Sequence, residues 1–115
     1  GLNVGFKNLN NIYLINNLNK IKNIKFKKGS LFIANWSLSE SPIKFRKRFL
    51  NLIKKHEIIL ICFQEHFENI NNLEYFVNLK KELSNNYNLK ILGNKYYKGN
   101  ILKKQKHFFM IGKKL

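Results

Sequence analysis

Residues Leu31 to Glu40 read LFIANWSLSE and change character halfway. Four of the first five are apolar and the rest turn polar, which is the pattern of a buried strand ending at a working edge. The polar tip consists of Asn35, Trp36, Ser37, Ser39 and Glu40. The same pattern recurs from Ile58 to Phe63 (IILICF), which runs into Gln64, Glu65 and His66, and a helical segment separates the two. Parallel strands joined by a helix present their carboxyl ends on one side of a sheet. Open α/β sheets bind their ligands on that side. Hydroxyl, amide, carboxylate, imidazole and indole groups are thus expected at a single edge.

Outward from this pair, Gly29 and Ser30 punctuate the entry to the first strand, and Ser41 and Pro42 read as a helix start. That helix is expected to run to about Lys55. Phe45, Phe49, Leu52 and Ile53 form its apolar face, while Lys44, Arg46, Lys47, Arg48 and Lys54 are placed mostly elsewhere. A turn at Asn69 to Asn72 follows the second strand. Asn72 is placed to cap a second helix from Leu73 to about Leu83, with the stripe Leu73, Phe76, Leu79, Lys80 and Leu83. The remainder reads as a hairpin of Leu89 to Tyr97, a loop at Lys98, Gly99 and Asn100, and a return strand from roughly Lys104 to Gly112. Upstream, Asn-rich text brackets a short strand at Ile12 to Ile15 and a turn at Asn16 and Asn17.

At 115 residues the chain is the size of one small domain, and no internal linker divides it. It opens at Gly1 without a Met, which leaves room for a larger protein upstream. The longest apolar run, Ile58 to Phe63, is far too short for a membrane span, and no secretory signal opens the chain. The single Cys62 cannot form an internal disulfide, so a reducing, cytoplasmic setting is the expectation. The formal charge is +16, a balance that ordinarily points to polyanions. Here the lysines are scattered along the sequence, accompanied by many Asn and Ile and no Asp, the vocabulary of an AT-rich coding sequence. No block of five like charges occurs, and pairs such as Lys27-Lys28, Lys54-Lys55 and Lys80-Lys81 read as solvated faces and strand ends.

The stretch FIANWSLSESPIKFR, followed by a strand ending in CFQEHFENINNLEYF, resembles the carboxyl-terminal half of sugar O-methyltransferases of the class I, Rossmann-like type. NWSLSE with the following SP is its most specific part, and the resemblance covers about Gly29 to Leu115. It implies an α/β fold with parallel strands followed by an antiparallel hairpin, here the later half of a larger methyltransferase domain. It further implies S-adenosylmethionine as cofactor, a sugar or glycan hydroxyl as acceptor, and the upstream half of the same domain as partner. Two hallmarks of that class are missing: a glycine-rich turn after a first strand, for which Gly1 and Gly5 are a poor substitute, and an acidic ribose ligand. Alone, the chain is therefore expected to hold cofactor poorly or not at all.

Methyl transfer to a hydroxyl needs positioning and a base to take the proton. On this reading Glu40 and His66 are the candidate catalytic residues. Asn35 and Trp36 would touch the cofactor or stack on a sugar face, and Ser37, Ser39 and Gln64 would orient the substrate. Each has a plainer reading beside it: Glu40 as a charge at the start of the following helix, Trp36 as a packing residue, Asn35 as a strand terminator. His56 and His107 read as structural, the aromatic pairs Tyr96-Tyr97 and Phe108-Phe109 as sheet packing, and no residue spacing indicates a metal. Two other functions are compatible with the text: a small basic nucleic-acid-binding module and a non-catalytic truncated remnant.

Overall fold

Strand β1 (Leu31–Asn35) alternates exposed and buried, with Phe32 and Ala34 turned inward. The computed structural model describes residues 15–22, 24–93 and 106–115. A helix α1 (Ile43–Ile53) leads from β1 to β2 (Ile58–Gln64), which lies parallel to β1 with Leu31 opposite Ile58 and Asn35 opposite Cys62. A two-stranded ribbon, β3 (His66–Phe67) and β4 (Ile70–Asn71), precedes α2 (Asn72–Leu83). The chain closes with β5 (Tyr87–Gly93) and β6 (His107–Lys114). The four long strands make one mixed sheet in the order β1-β2-β6-β5, so the last strand lies between β2 and β5 and is antiparallel to both.

The expected parallel pair and closing antiparallel pair are present. The closing strands are displaced from their expected limits, because Tyr87 is buried and its hydroxyl donates to the Ile53 and His56 carbonyls, drawing the start of β5 back from Leu89. The expected strand at Ile12 to Ile15 falls almost wholly outside the described residues, as do Gly1, Gly5, Tyr96, Tyr97 and the loop at Lys98 to Asn100. After Asn16 and Asn17 the chain makes a 3-10 turn, Leu18–Ile21, capped by the Asn17 side chain.

Both helices cover one face of the sheet. Ile59, Ile61, Phe63 and Met110 in the central strands are fully buried beneath Ile53 of α1 and Phe76, Leu79 and Leu83 of α2. The opposite face is open among the described residues, with Leu31, Ile33, Ile58, Leu92 and Ile111 exposed. Among the described residues β1 has a hydrogen-bonded neighbour on one side only.

Several helix details depart from the sequence reading. Ser41 does not cap α1: its hydroxyl turns back to the Ser37 carbonyl, Pro42 occupies the cap position without a side-chain bond, and the helix ends at Ile53. In α2 the cap is Asn71, which accepts from the Glu74 amide, and Asn72 is the first helical residue. The buried face of α1 is also rotated. It is marked by Arg46 and Ile53, while Phe45 is 40% exposed. Arg46, four and seven residues before Leu50 and Ile53, has the helical spacing of a core position.

Candidate functional site

The carboxyl ends of β1 and β2 lie side by side, since Asn35 pairs with Cys62 and the Trp36 amide donates to the Cys62 carbonyl at 2.9 Å. All the residues singled out in the sequence at the two tips therefore fall at one edge of the sheet. Trp36 adopts a left-handed backbone, φ 64°, which is a costly conformation for a bulky residue and one that surrounding structure must hold in place. The turn sets the indole, 42% exposed, flat against the His107 ring with centroids 4.9 Å apart and planes 19° from parallel. His107 reaches this position because β6 is inserted beside β2, placing it opposite Gln64. The reading of His107 as a residue of the hairpin alone misses this contact.

Below the indole the loop is held by hydrogen bonds. The Trp36 carbonyl accepts from the Glu40 amide and lies 2.9 Å from the Ser39 hydroxyl, whose proton is shared with Gln64 Oε1 at 2.7 Å. Gln64 Nε2 approaches Glu40 Oε1 at 3.5 Å. Ser39 is fully buried and Gln64 nearly so. Neither is presented to an incoming ligand as the substrate contacts expected of them require; both lie beneath Glu40. Ser37, Glu40 and Asn35 are exposed, with Ser37 also giving its carbonyl to Ser41. His66 is exposed two residues beyond Gln64, at the start of the β3–β4 ribbon and paired in register with Asn71.

Two residues outside the sequence-predicted set fix this loop from behind. Arg46 is 1% exposed and donates through Nη2 to the Ser39 carbonyl at 2.7 Å and through Nε to the Ser41 carbonyl at 2.8 Å. Its guanidinium stacks over the Tyr75 ring, 4.8 Å from the centroid, and lies 5.8 Å from that of Phe76. Fully buried Asn72 donates to the same Ser39 carbonyl at 3.3 Å. Burial holds the Arg46 pKa below its ordinary value and pushes the Tyr75 hydroxyl above its own. Among the described residues, Arg46 Nη1 and Asn72 Oδ1 are left without a hydrogen-bond partner, an uncommon condition for buried polar atoms. The arginine on the core face of a helix was the available sequence signal.

His56 and Cys62 lie outside this cluster of bonds. His56 is buried at the far end of the sheet, with Nδ1 3.0 Å from the Ser30 hydroxyl and its ring against Phe26. Cys62 lies half-buried on the open face, where desolvation raises its thiol pKa. Among the described residues no group of three or more His, Cys, Asp or Glu side chains could hold a metal, and no helix is long and apolar enough to cross a membrane.

The edge thus offers an aromatic surface, a supported carboxylate, an imidazole and a hydroxyl around the ends of two parallel strands. Comparison with protein-family models, with curated proteins and with solved structures gives no match to this chain.

Proposed function

We propose that this chain is the later half of a class I, Rossmann-like O-methyltransferase domain that uses S-adenosylmethionine to methylate a sugar or glycan hydroxyl. The observation that carries the reading is the convergence of the β1 and β2 ends, where Trp36, Glu40 and Gln64 meet at the ligand-binding side of a parallel pair. The sheet order agrees with it, because the resemblance implies parallel strands followed by an antiparallel pair. The edge of β1 and the apolar face, both uncovered among the described residues, also suit a sheet completed by further strands and helices.

The described residues fit the acceptor side of such a site and not the donor side. Glu40 and Trp36 can meet a sugar through a carboxylate and an aromatic face, but no acidic ribose ligand or glycine-rich turn stands among the described residues. The cofactor, when bound, supplies an electrophilic methyl group on a sulfonium. This chain's part is to receive the proton of the acceptor hydroxyl on Glu40 or His66. Gln64, fixed by Ser39, orients Glu40, and Trp36 sets the sugar plane.

Transfer of tritiated methyl from S-adenosylmethionine to a panel of sugars and glycans, by the full reading frame containing these residues, tests the proposal. We expect labelled product with the unmodified protein and at least a hundredfold slower transfer in Glu40→Gln or His66→Gln. Absence of label on every acceptor overturns the function, and unchanged turnover in both variants overturns the residue roles. Trp36 is the only tryptophan, so its emission reports acceptor binding separately from turnover.

A further inference from the structure

Four lysine pairs that lie far apart in sequence are gathered in space. Because β1 and β2 are parallel and β6 is antiparallel to β2, one edge of the sheet collects the starts of β1, β2 and β5 and the end of β6. Both helices return to that edge as well. Lys27 and Lys28 lead into β1 there, and Lys54 and Lys55 follow α1. Lys80 and Lys81 lie in the last turn of α2, and Lys113 and Lys114 end β6 opposite Ile58 and Tyr87. All are exposed except the partly buried Lys80. Glu57 and Glu82 are the carboxylates nearby, whereas Glu40, Glu65, Glu68 and Glu74 stand at the opposite edge with the candidate active site.

Helix dipoles account for cations at the ends of α1 and α2. They do not account for the pairs at the ends of β1 and β6, since strands carry little net dipole. Two concavities also flank this edge. One, of about 430 Å³, lies between the 3-10 turn and α1, with Leu18, Ile21 and Leu52 at its apolar wall and Lys22, Arg48 and Lys55 as its cations, and no acidic residue lines it among the described residues. The other, of about 300 Å³, is lined by Lys80, Lys81, Ser84, Asn88 and Leu115 among others. Cations set along grooves, with amides and a hydroxyl between them, match a flexible phosphodiester chain better than a flat bilayer. Tyr87, the aromatic residue of the second groove, is buried and engaged with carbonyls, so no platform for base stacking is presented there.

We propose that this edge binds the phosphate backbone of single-stranded nucleic acid without regard to sequence. The surface lies at the opposite end of the sheet from Trp36 and Glu40, and the proposal is independent of the methyl-transfer reading.

Fluorescence anisotropy of a labelled oligouridylate 12-mer, titrated with the full chain at several salt concentrations, tests it. The edge variant K27Q/K28Q/K54Q/K113Q spares Lys55 and Lys114, which contact backbone carbonyls and the Tyr87 ring, and is expected to keep its fold by circular dichroism. The control K44Q/K47Q/K90Q/K106Q removes equal charge away from the edge. Saturable binding is expected, with a salt slope of about −0.7 per phosphate contact and roughly fivefold in affinity per contact at 0.1 M salt. Loss of two to four contacts makes the edge variant's slope shallower by about 1.4 to 2.8 and its affinity weaker by roughly 25-fold or more, while the control stays within about threefold. Equal losses in the two variants, non-saturating binding, or tighter binding to phosphatidylserine vesicles than to the oligonucleotide would each overturn the proposal.

Discussion

Replacing Arg46 tests whether the loop carrying Glu40 is held from behind by a buried cation. The guanidinium donates to two carbonyls, Ser39 at 2.7 Å and Ser41 at 2.8 Å, and lies over the Tyr75 ring. Hydrogen bonds to a charged donor contribute about 1.5–3 kcal/mol each, and the stacking about 1–2 kcal/mol more. Against this stands the desolvation of a cation that has no carboxylate partner among the described residues, a penalty of several kcal/mol. The opposing terms nearly cancel, so the choice of replacement decides the outcome. Arg46→Met fills much of the same volume and removes the charge, leaving Ser39 its bond from Asn72 and Ser41 with none; the expected loss is about 1–2 kcal/mol. Arg46→Lys keeps the charge but cannot fork to both carbonyls, and should lose about 3–5 kcal/mol. Urea unfolding followed by Trp36 emission reads the difference as midpoints, at a slope of roughly 1–3 kcal/mol per molar urea. The methionine variant is expected to unfold at a higher urea concentration than the lysine variant. A lysine variant as stable as the unmodified chain, or a methionine variant more stable than it, would refute the idea that the fork holds the loop.

Stability should also depend on His56, whose pKa is lowered from its ordinary 6.5, first by burial and then by Lys55. The unfolded state then binds the proton more readily, so stability is full above about pH 6.5 and falls as the pH drops below it. In urea unfolding at pH 5 and pH 7.5, His56→Gln should narrow the difference between the two midpoints, and an unchanged difference would discount His56. Asn71→Ala removes the α2 cap bond to Glu74 and should cost about 1 kcal/mol in the same assay. Cys62, half-buried and with its thiol pKa raised, should react with a thiol reagent at pH 7.5 more slowly than the same chain does in urea; equal rates would place it in open solvent.

The strand ends were legible in the sequence because two signals coincide there: apolar runs of strand length and an abrupt polar tip. The core face of α1 was legible in period but not in type. Arg46 has the spacing of a buried position, yet its charge assigned it to solvent, and only the loop carbonyls of Ser39 and Ser41 make its burial tolerable. Ser39 and Gln64 were located correctly at the edge but not in orientation, since a hydroxyl and an amide 25 residues apart satisfy each other. The basic edge could not be read from linear spacing at all. Each lysine pair looks ordinary beside its own helix or strand, and the accumulation exists only once strand directions are known.

The insertion of β6 between β2 and β5 governs both ends of the sheet. It sets His107 beside Gln64, where the Trp36 ring finds it, and sets Lys113 beside Ile58 at the basic edge. It also demands a close approach of backbones at Gly112, opposite Leu89 and Ile59. A Cβ built there would lie 1.9 Å from the Asn88 carbonyl oxygen and 2.8 Å from the Leu89 Cα, and neither backbone atom can yield without parting β5 from β6. Gly112→Ala should therefore cost about 3 kcal/mol or more, above the usual range for overpacking by one methyl because the obstacle is main chain. Hydrogen exchange would show the loss first in the amides that β5 and β6 share, whereas the β1–β2 amides should stay protected until global unfolding. An alanine variant with unaltered exchange across β5 and β6 would mean that the two strands do not meet at this residue, and the common origin of the stacked histidine and the basic edge would fall with it.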